Sequence, residues 1–318
     1  MFFKSAWLAA LVASAAFAQG YPSKPIRIVS PYAPGGSTDV VGRLVAGKMA
    51  ASLGQPVLVE NRPGAAGAVG AEVVARSLPD GYTMLITSSA ILSSIVFSSR
   101  NVPYDPLNDF TPITAAVTQP GMLLMNANFP AASYRELSQY ARAHPGKLSY
   151  ATTGVGSSFH FMGEIIKHAD GINLVHVPYK GGAQAAQAVA SGEVQVALLS
   201  NSSGMAAVRT GKAKALAILG DKRMVELPDV PVIADFLPGV ERPADWLGFY
   251  GPAGMGPALV ARVNAEIVKA LNSPDVLKSL RAGGMEVFGN SPDEFAALMR
   301  RDIALYRRMV PIAGIKLE

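Results

Sequence analysis

Past its first twenty residues, the chain alternates short β-branched runs with longer stretches of helical spacing. Ile26–Ser30 (IRIVS) is a compact apolar run that ends at Pro31 and predicts a strand. Val40, Val41, Leu44, Val45, Met49 and Leu53 then recur at helical intervals, with Ser37, Thr38 and Asp39 as capping chemistry and Gly54 as the stop. Val57–Glu60 predicts a second strand, Ala68–Leu78 a helix closed by Pro79-Asp80-Gly81, and Met84–Thr87 a third strand. Strands separated by helices of about 10–15 residues are the pattern of βαβ units and a parallel sheet.

The texture changes at Pro103–Thr111, a polar connector that bears prolines. Ile113–Val117 and Met122–Asn126 predict two linking strands, after which the alternation resumes. Ser133 with Glu136 forms an S-x-x-E capping box for a helix to about His144. Strands follow at Leu148–Thr152, Leu174–Val177, Val194–Leu199 and Ala215–Leu219, with helices at Ser158–Ala169, Ala183–Ser191 and Met205–Thr210. Asp221–Trp246 is loop-rich, Phe249–Pro252 predicts a crossing strand, and three helices near 257–271, 274–281 and 292–309 each begin at a proline. The reading is α/β, with two β/α domains around a central cleft and two chain crossovers. The expected first domain is 19–112 plus 221–318, the second is 113–220, and the C-terminal helices return to cover the first.

Residues 1–18 stand apart. Lys4 precedes an apolar, Ala-rich run, and Ala16-Phe17-Ala18 is a small-x-small site. This is the layout of a cleavable secretory signal peptide, predicted to be cut after Ala18. The run is too short to span the roughly 30 Å hydrocarbon core of a bilayer. In a Gram-negative cell the product is periplasmic.

Composition removes several classes of function. The 318 residues contain no cysteine, which excludes disulfide scaffolds, thiolate metal sites and thiol nucleophiles. The net charge of +5 comes from 28 basic and 23 acidic residues with no long run of one sign, so nucleic acid is not an expected partner. Half the residues are hydrophobic, enough for a sizeable core.

The candidate chemistry lies in the turns between strand and helix. Tyr32-Ala33-Pro34-Gly35-Gly36-Ser37-Thr38-Asp39 is one, and Thr152-Thr153-Gly154-Val155-Gly156-Ser157-Ser158 is the other. Glycine lets a ligand approach the backbone, and a helix start offers unpaired N–H groups and partial positive charge, so the pair can hold an anion without Arg or Lys. One such turn taken singly reads better as ordinary helix capping; two of them in two halves, facing across a cleft, favour a shared anionic ligand. Thr87-Ser88-Ser89, Tyr179-Lys180-Gly181-Gly182 and Asn201-Ser202-Ser203 also follow strands. No Walker-type phosphate loop is present, and Gly64, Gly67 and Gly70 are spaced G-x-x-G-x-x-G, so nucleotide binding is not expected. His160 and Glu164 share a helix face but are too few to hold a metal, and His144, His168 and His176 fall in no ligand set. Ser157 or Ser158 with His160 is the one arrangement that a secreted serine hydrolase could use, although no orienting acid is evident.

The stretch from SKPIRIVSPYAPGGSTDVVGRL to LPDGYTML, together with YATTGVGSSFHFMGE, HVPYKGGAQAAQAVASGEVQVAL, GKAKALAI, LPDVPVIAD and SPDEFAALMRRD, resembles the Bug family of periplasmic solute receptors. These serve tripartite tricarboxylate transporters. The resemblance implies a periplasmic-binding-protein fold, no catalytic activity, no cofactor and no metal. It also implies a small carboxylate ligand (a di- or tricarboxylate, an amino acid or an aromatic acid) and integral-membrane permease subunits or a sensor protein as partner, with the receptor a monomer. Carried over by motif, it assigns Tyr32, Gly35, Gly36, Ser37, Thr38 and Asp39 to the ligand, then Ser88 and Ser89, then Thr153, Gly154, Ser157, Ser158 and His160, and finally Tyr179. Asp39 fits better as an organiser of its loop than as a carboxylate partner, or it meets the amino group of an amino-acid ligand. Many relatives carry an acidic turn after the strand at Val194–Leu199. Here Leu198-Leu199-Ser200-Asn201-Ser202 stands instead, which leaves Ser200 and Asn201 as the candidate contacts and makes an amino-bearing ligand less expected on that side.

Overall fold

A computed structural model describes residues 20–89, 102–243 and 245–313. The predicted signal segment and the cleavage predicted after Ala18 lie outside the described residues.

The strands form two sheets. The larger has the order β11-β4-β10-β3-β1-β2, from β1 (Ile26–Ser30), β2 (Val57–Asn61), β3 (Thr83–Ser88), β4 (Phe110–Thr118), β10 (Trp246–Pro252) and β11 (Glu286–Val287). The smaller has the order β7-β6-β8-β5-β9, from β5 (Gly121–Asn126), β6 (Leu148–Thr152), β7 (Leu174–Pro178), β8 (Val196–Ser200) and β9 (Ala213–Leu219). β1 pairs in parallel with β2 and β3, and β6 with β7 and β8. These are the βαβ units that the spacing predicts. Their helices are α1 (Ser37–Leu53), α2 (Ala68–Ala75), α3 (Tyr134–Ala143), α4 (Ser158–Asp170), α5 (Gly182–Ser191) and α6 (Asn201–Arg209), followed by α7 (Pro257–Leu271), α8 (Pro274–Ala282) and α9 (Pro292–Ala313).

The predicted caps form. Ser291 Oγ accepts from the Glu294 N–H while Glu294 accepts from the Ser291 N–H, the full reciprocal box. Ser133 Oγ accepts from the Glu136 N–H, but Glu136 reaches one residue further back, to the Ala132 N–H.

Three features differ from the sequence reading. β4 starts at Phe110 and pairs with β10 along its length, so the strand predicted to open the second half at 113 belongs to the larger sheet. Ile233 packs into the core of the smaller sheet with Phe236, Leu237 and Val240 against it, although this stretch was expected with the first half. The last helix serves both sheets: Phe295 and Met299 lie in the core under Trp246 and Tyr250, whereas Leu305, Tyr306 and Met309 pack on Phe161 and Ile165 of α4. A 22-residue helix is about 33 Å long, enough to reach from one sheet to the other.

The connections place the site. β4 runs in the same direction as β3, because both are antiparallel to β10. It therefore leaves the larger sheet at the carboxyl edge and enters β5 at Gly121, which pairs with Ser200, the carboxyl end of β8. The return is equivalent: Leu219 pairs with Gly121, and Leu247 pairs with Ser88 at the end of β3. Both crossings thus join carboxyl edge to carboxyl edge, and the Gln119 N–H donates to the Asp245 carbonyl at 2.8 Å to bind one crossing to the other. The loops that follow the parallel strands of each sheet stand on these carboxyl edges, where open α/β sheets bind ligands.

Candidate functional site

On the larger sheet, Pro31–Gly36 carries the chain from β1 into α1. Gly35 has φ +86°, a conformation open to glycine, and Gly36 is the N-cap residue with ordinary φ −74°. No side chain caps α1, so its first-turn N–H groups have no side-chain acceptor. Asp39 is 4% exposed and fully engaged. One oxygen accepts from the Gly35 N–H and Arg43 Nε, each at 3.0 Å, and the other from Asn61 Nδ2 at 2.9 Å. The bond from Arg43 is the main cause that holds its carboxyl at about 2. Asp39 is therefore the organiser of this loop. Asn61, the last residue of β2, completes that role by also donating to the Tyr32 carbonyl.

The neighbouring hydroxyls are partly engaged. Thr38 Oγ1 and Ser30 Oγ lie 3.0 Å apart, as do the Tyr32 hydroxyl and Ser88 Oγ. Burial pushes the Tyr32 phenol up to about 12. The hydroxyls of Thr87 and Ser89 are buried without a hydrogen-bond partner among the described residues.

On the smaller sheet, Thr153 and Gly154 (φ +124°) lead from β6 into α4. Ser157 caps the helix, its Oγ accepting from the His160 N–H at 3.2 Å, and Ser158 is buried at the first helical position. His160 Nδ1 accepts from the Gly156 N–H at 3.1 Å, and its ring stacks on His176 at 3.9 Å and 11°. His176 Nε2 lies 2.7 Å from Thr152 Oγ1. Burial lowers both imidazoles, that of His176 to about 3, so both are neutral. His160, assigned to the ligand by the resemblance, therefore has one ring nitrogen engaged within its own loop. Nδ1 faces a backbone amide, not a serine hydroxyl. Glu164, its partner in helical spacing, accepts from Tyr150 and Lys167 instead.

Tyr179 sits beside this loop through its backbone, with its N–H on the Thr152 carbonyl. Its hydroxyl, however, donates to Glu193 at 2.8 Å, beyond the far end of α5. The next two helix starts converge. A Cβ on Gly182 would lie 2.1 Å from Ser203 Oγ, so α5 and α6 begin in contact. Neither has a side-chain cap, and Ser200 Oγ bonds to Ser202 and Ser203 at 3.0 and 3.1 Å. Asn201, 2% exposed, turns to the other sheet: its N–H donates to the Pro120 carbonyl and its Nδ2 to the Gly284 carbonyl at 3.5 Å. Its side chain is a tie across the junction. The spacing rule missed the start of α6, because Asn201-Ser202-Ser203 carry no apolar period.

Asp245, on the return crossing, escaped the sequence reading. It lies in a proline-rich stretch that carries no period, and only the pairing of β10 brings it to the junction.

Among the described residues no group of three or more His, Asp or Glu side chains could hold a metal, and no helix is long and apolar enough to cross a membrane.

Known proteins agree with this architecture. Residues 41–314 match the family model described as the tripartite tricarboxylate transporter family receptor. A protein encoded in the tcbD-tcbE intergenic region of Pseudomonas sp. strain P51 is 35% identical over 292 residues, covering 91% of this chain and 86% of that protein. BugT of Bordetella pertussis is 31% identical over 308 residues, covering 96% and 94%. Among solved structures, a periplasmic transporter superposes with TM-score 0.82 at 37% identity, over 94% of this chain and 100% of that one. Rpa4515 of R. palustris with adipate gives 0.83 at 30% identity over 94% and 100%. MatC of Rhodopseudomonas palustris with bound malate gives 0.78 at 32% identity over 91% and 100%. With one family model matched over most of its length and relatives aligned almost end to end, the chain belongs to the tripartite tricarboxylate transporter receptor family.

Proposed function

We propose that this receptor is exported to the periplasm, cut after Ala18, and captures a small carboxylate between its two carboxyl edges for delivery to integral-membrane permease subunits. The observation that carries the reading is the uncapped start of α1 at Gly36, in a loop that Asp39 and Asn61 hold in place. N–H groups at a helix start bind a carboxylate through charge-assisted hydrogen bonds, strengthened by the helix dipole. Adipate in Rpa4515 and malate in MatC support the ligand class. Two lobes, one on each sheet, move about the crossing Thr118–Gly121 and the return crossing that enters β10 at Trp246, with the protein a monomer. Ligand shifts the open and closed populations by its preference for the closed form, whose joined surface the permease then reads.

Capture without chemistry has a direct test. Ligand incubated with the receptor is recovered unchanged at one equivalent per chain, and activated esters turn over at the buffer rate. Ser157→Ala is expected to lower stability by about 1 kcal/mol through loss of the α4 cap and to leave ester turnover at that baseline. Turnover present in the parent and lost in Ser157→Ala would restore the hydrolase reading.

A further inference from the structure

Asp245 stands on the return crossing, one residue before β10. The pairing of Leu247 with Ser88 puts it just past the carboxyl end of β3, on the edge that carries Tyr32 and Ser88, and its carbonyl holds the other crossing through Gln119. Its side chain is half-buried. Among the described residues its carboxylate has neither a hydrogen-bond nor an ion-pair partner. The nearest arginine in sequence, Arg242, pairs with Asp221 and donates to the Leu219 carbonyl.

Among the described residues, the ionisable groups around it supply no positive charge. Its charge adds a little to the upward push that burial gives two phenols, Tyr32 on the β1–α1 loop and Tyr306 on α9, whose hydroxyl is itself unpartnered. Tyr306 in turn neighbours Asp302, a fully buried carboxyl bonded to Trp246 Nε1 at 2.8 Å. Burial pushes the Asp245 carboxyl up to about 7.

Ionised, as at pH 8, an unpaired carboxylate is unfavourable on a sheet edge whose loops offer donors to an anion. It repels a second carboxylate, whereas a ligand that brings its own positive charge satisfies it. We propose that Asp245 receives a protonated nitrogen of the ligand, so that the captured acid is an α-amino acid or a similar zwitterion. This rests on the carboxylate reading above and narrows it.

The test is calorimetric titration at pH 8 of refolded, ligand-free protein with matched acids that differ only in the amino group. The set runs through the common amino acids and their des-amino partners, including L-aspartate with succinate and L-glutamate with glutarate. The expected result is an amino member that binds at least tenfold tighter than its partner, and loss of that preference in Asp245→Asn. Asn keeps the shape and removes an uncompensated charge, so the variant melts at or above the parent and a folding defect does not confuse the result. Des-amino acids that bind as tightly as their amino partners, or an amino preference unchanged in Asp245→Asn, would overturn the assignment and leave the carboxylate reading standing. Failure of every acid to bind would overturn that reading, and this assignment with it.

Discussion

Gly36→Asp is expected to lower carboxylate affinity at least a hundredfold while the protein folds normally. The backbone at Gly36 is extended at φ −74°, and an added Cβ would find the Ala33 carbonyl at an ordinary 3.6 Å, so a side chain fits. Aspartate is also among the best N-cap residues. Its carboxylate would accept from the first-turn N–H groups that the ligand needs, becoming a tethered occupant of the anion site, and its charge would repel whatever carboxylate remained. Loss of two charge-assisted bonds at about 1.5–3 kcal/mol each is more than enough for a hundredfold change. Helix stability should change by only a few tenths of a kcal/mol. Calorimetry on the variant, beside Gly36→Ala as the uncharged control, makes the comparison. Parent-like affinity in a folded Gly36→Asp would remove the α1 start from the site.

Gly70→Ala is expected to cost about 1–3 kcal/mol of stability and to weaken binding at least tenfold, although residue 70 does not face the ligand. Gly70 lies in α2, and a Cβ there would sit 2.8 Å from Pro31 Cα and Cβ and 2.9 Å from the Arg62 carbonyl. These are backbone and ring atoms that cannot swing aside. Pro31 opens the loop to Gly36, and Arg62 follows Asn61, whose amide holds both Asp39 and the Tyr32 carbonyl. Displacement of either moves the anion site. Chemical denaturation reads the first effect and ligand titration the second. Unchanged affinity in a destabilised Gly70→Ala would mean that the loop adjusts independently of α2.

The same glycine illustrates what a sequence conveys. The G-x-x-G-x-x-G spacing is visible, and its mismatch with nucleotide fingerprints is legible, yet its purpose is not. Gly64 and Gly67 take φ +143° and +102° to turn the chain, and Gly70 lets α2 approach the binding loop. Elements with a clear period were legible almost to the residue, among them β1, β6 and α7. Those built from pairing alone were not. β11 has two residues and exists because β4 leaves a free edge beside it.

The candidate site divides along the same line. Gly35, Gly36 and Ser37 were legible because capping chemistry and glycine together mark a helix start. The organising role of Asp39 followed from charge, and the structure supplies its partners. The aim of a side chain was not legible. Tyr179 turns its hydroxyl to Glu193, His160 lies against His176, and Asn201 reaches Gly284, and each of these depends on contacts remote in sequence. Asp245 had no local signal at all, since its place depends on a strand pairing that spans more than 150 residues.

The most direct test of the account is titration of residues 19–318, unfolded and refolded to remove any carried ligand, with carboxylic acids and with the amides of the same acids. Trp246 is the sole tryptophan of that chain and lies at the junction of the lobes, bonded to Asp302, so its fluorescence reports the closure. The account predicts saturable one-to-one binding of at least one acid, with a change in Trp246 emission, and no binding of the matching amide. Amides that bind as well as their acids, or a full panel of acids without effect, would contradict it.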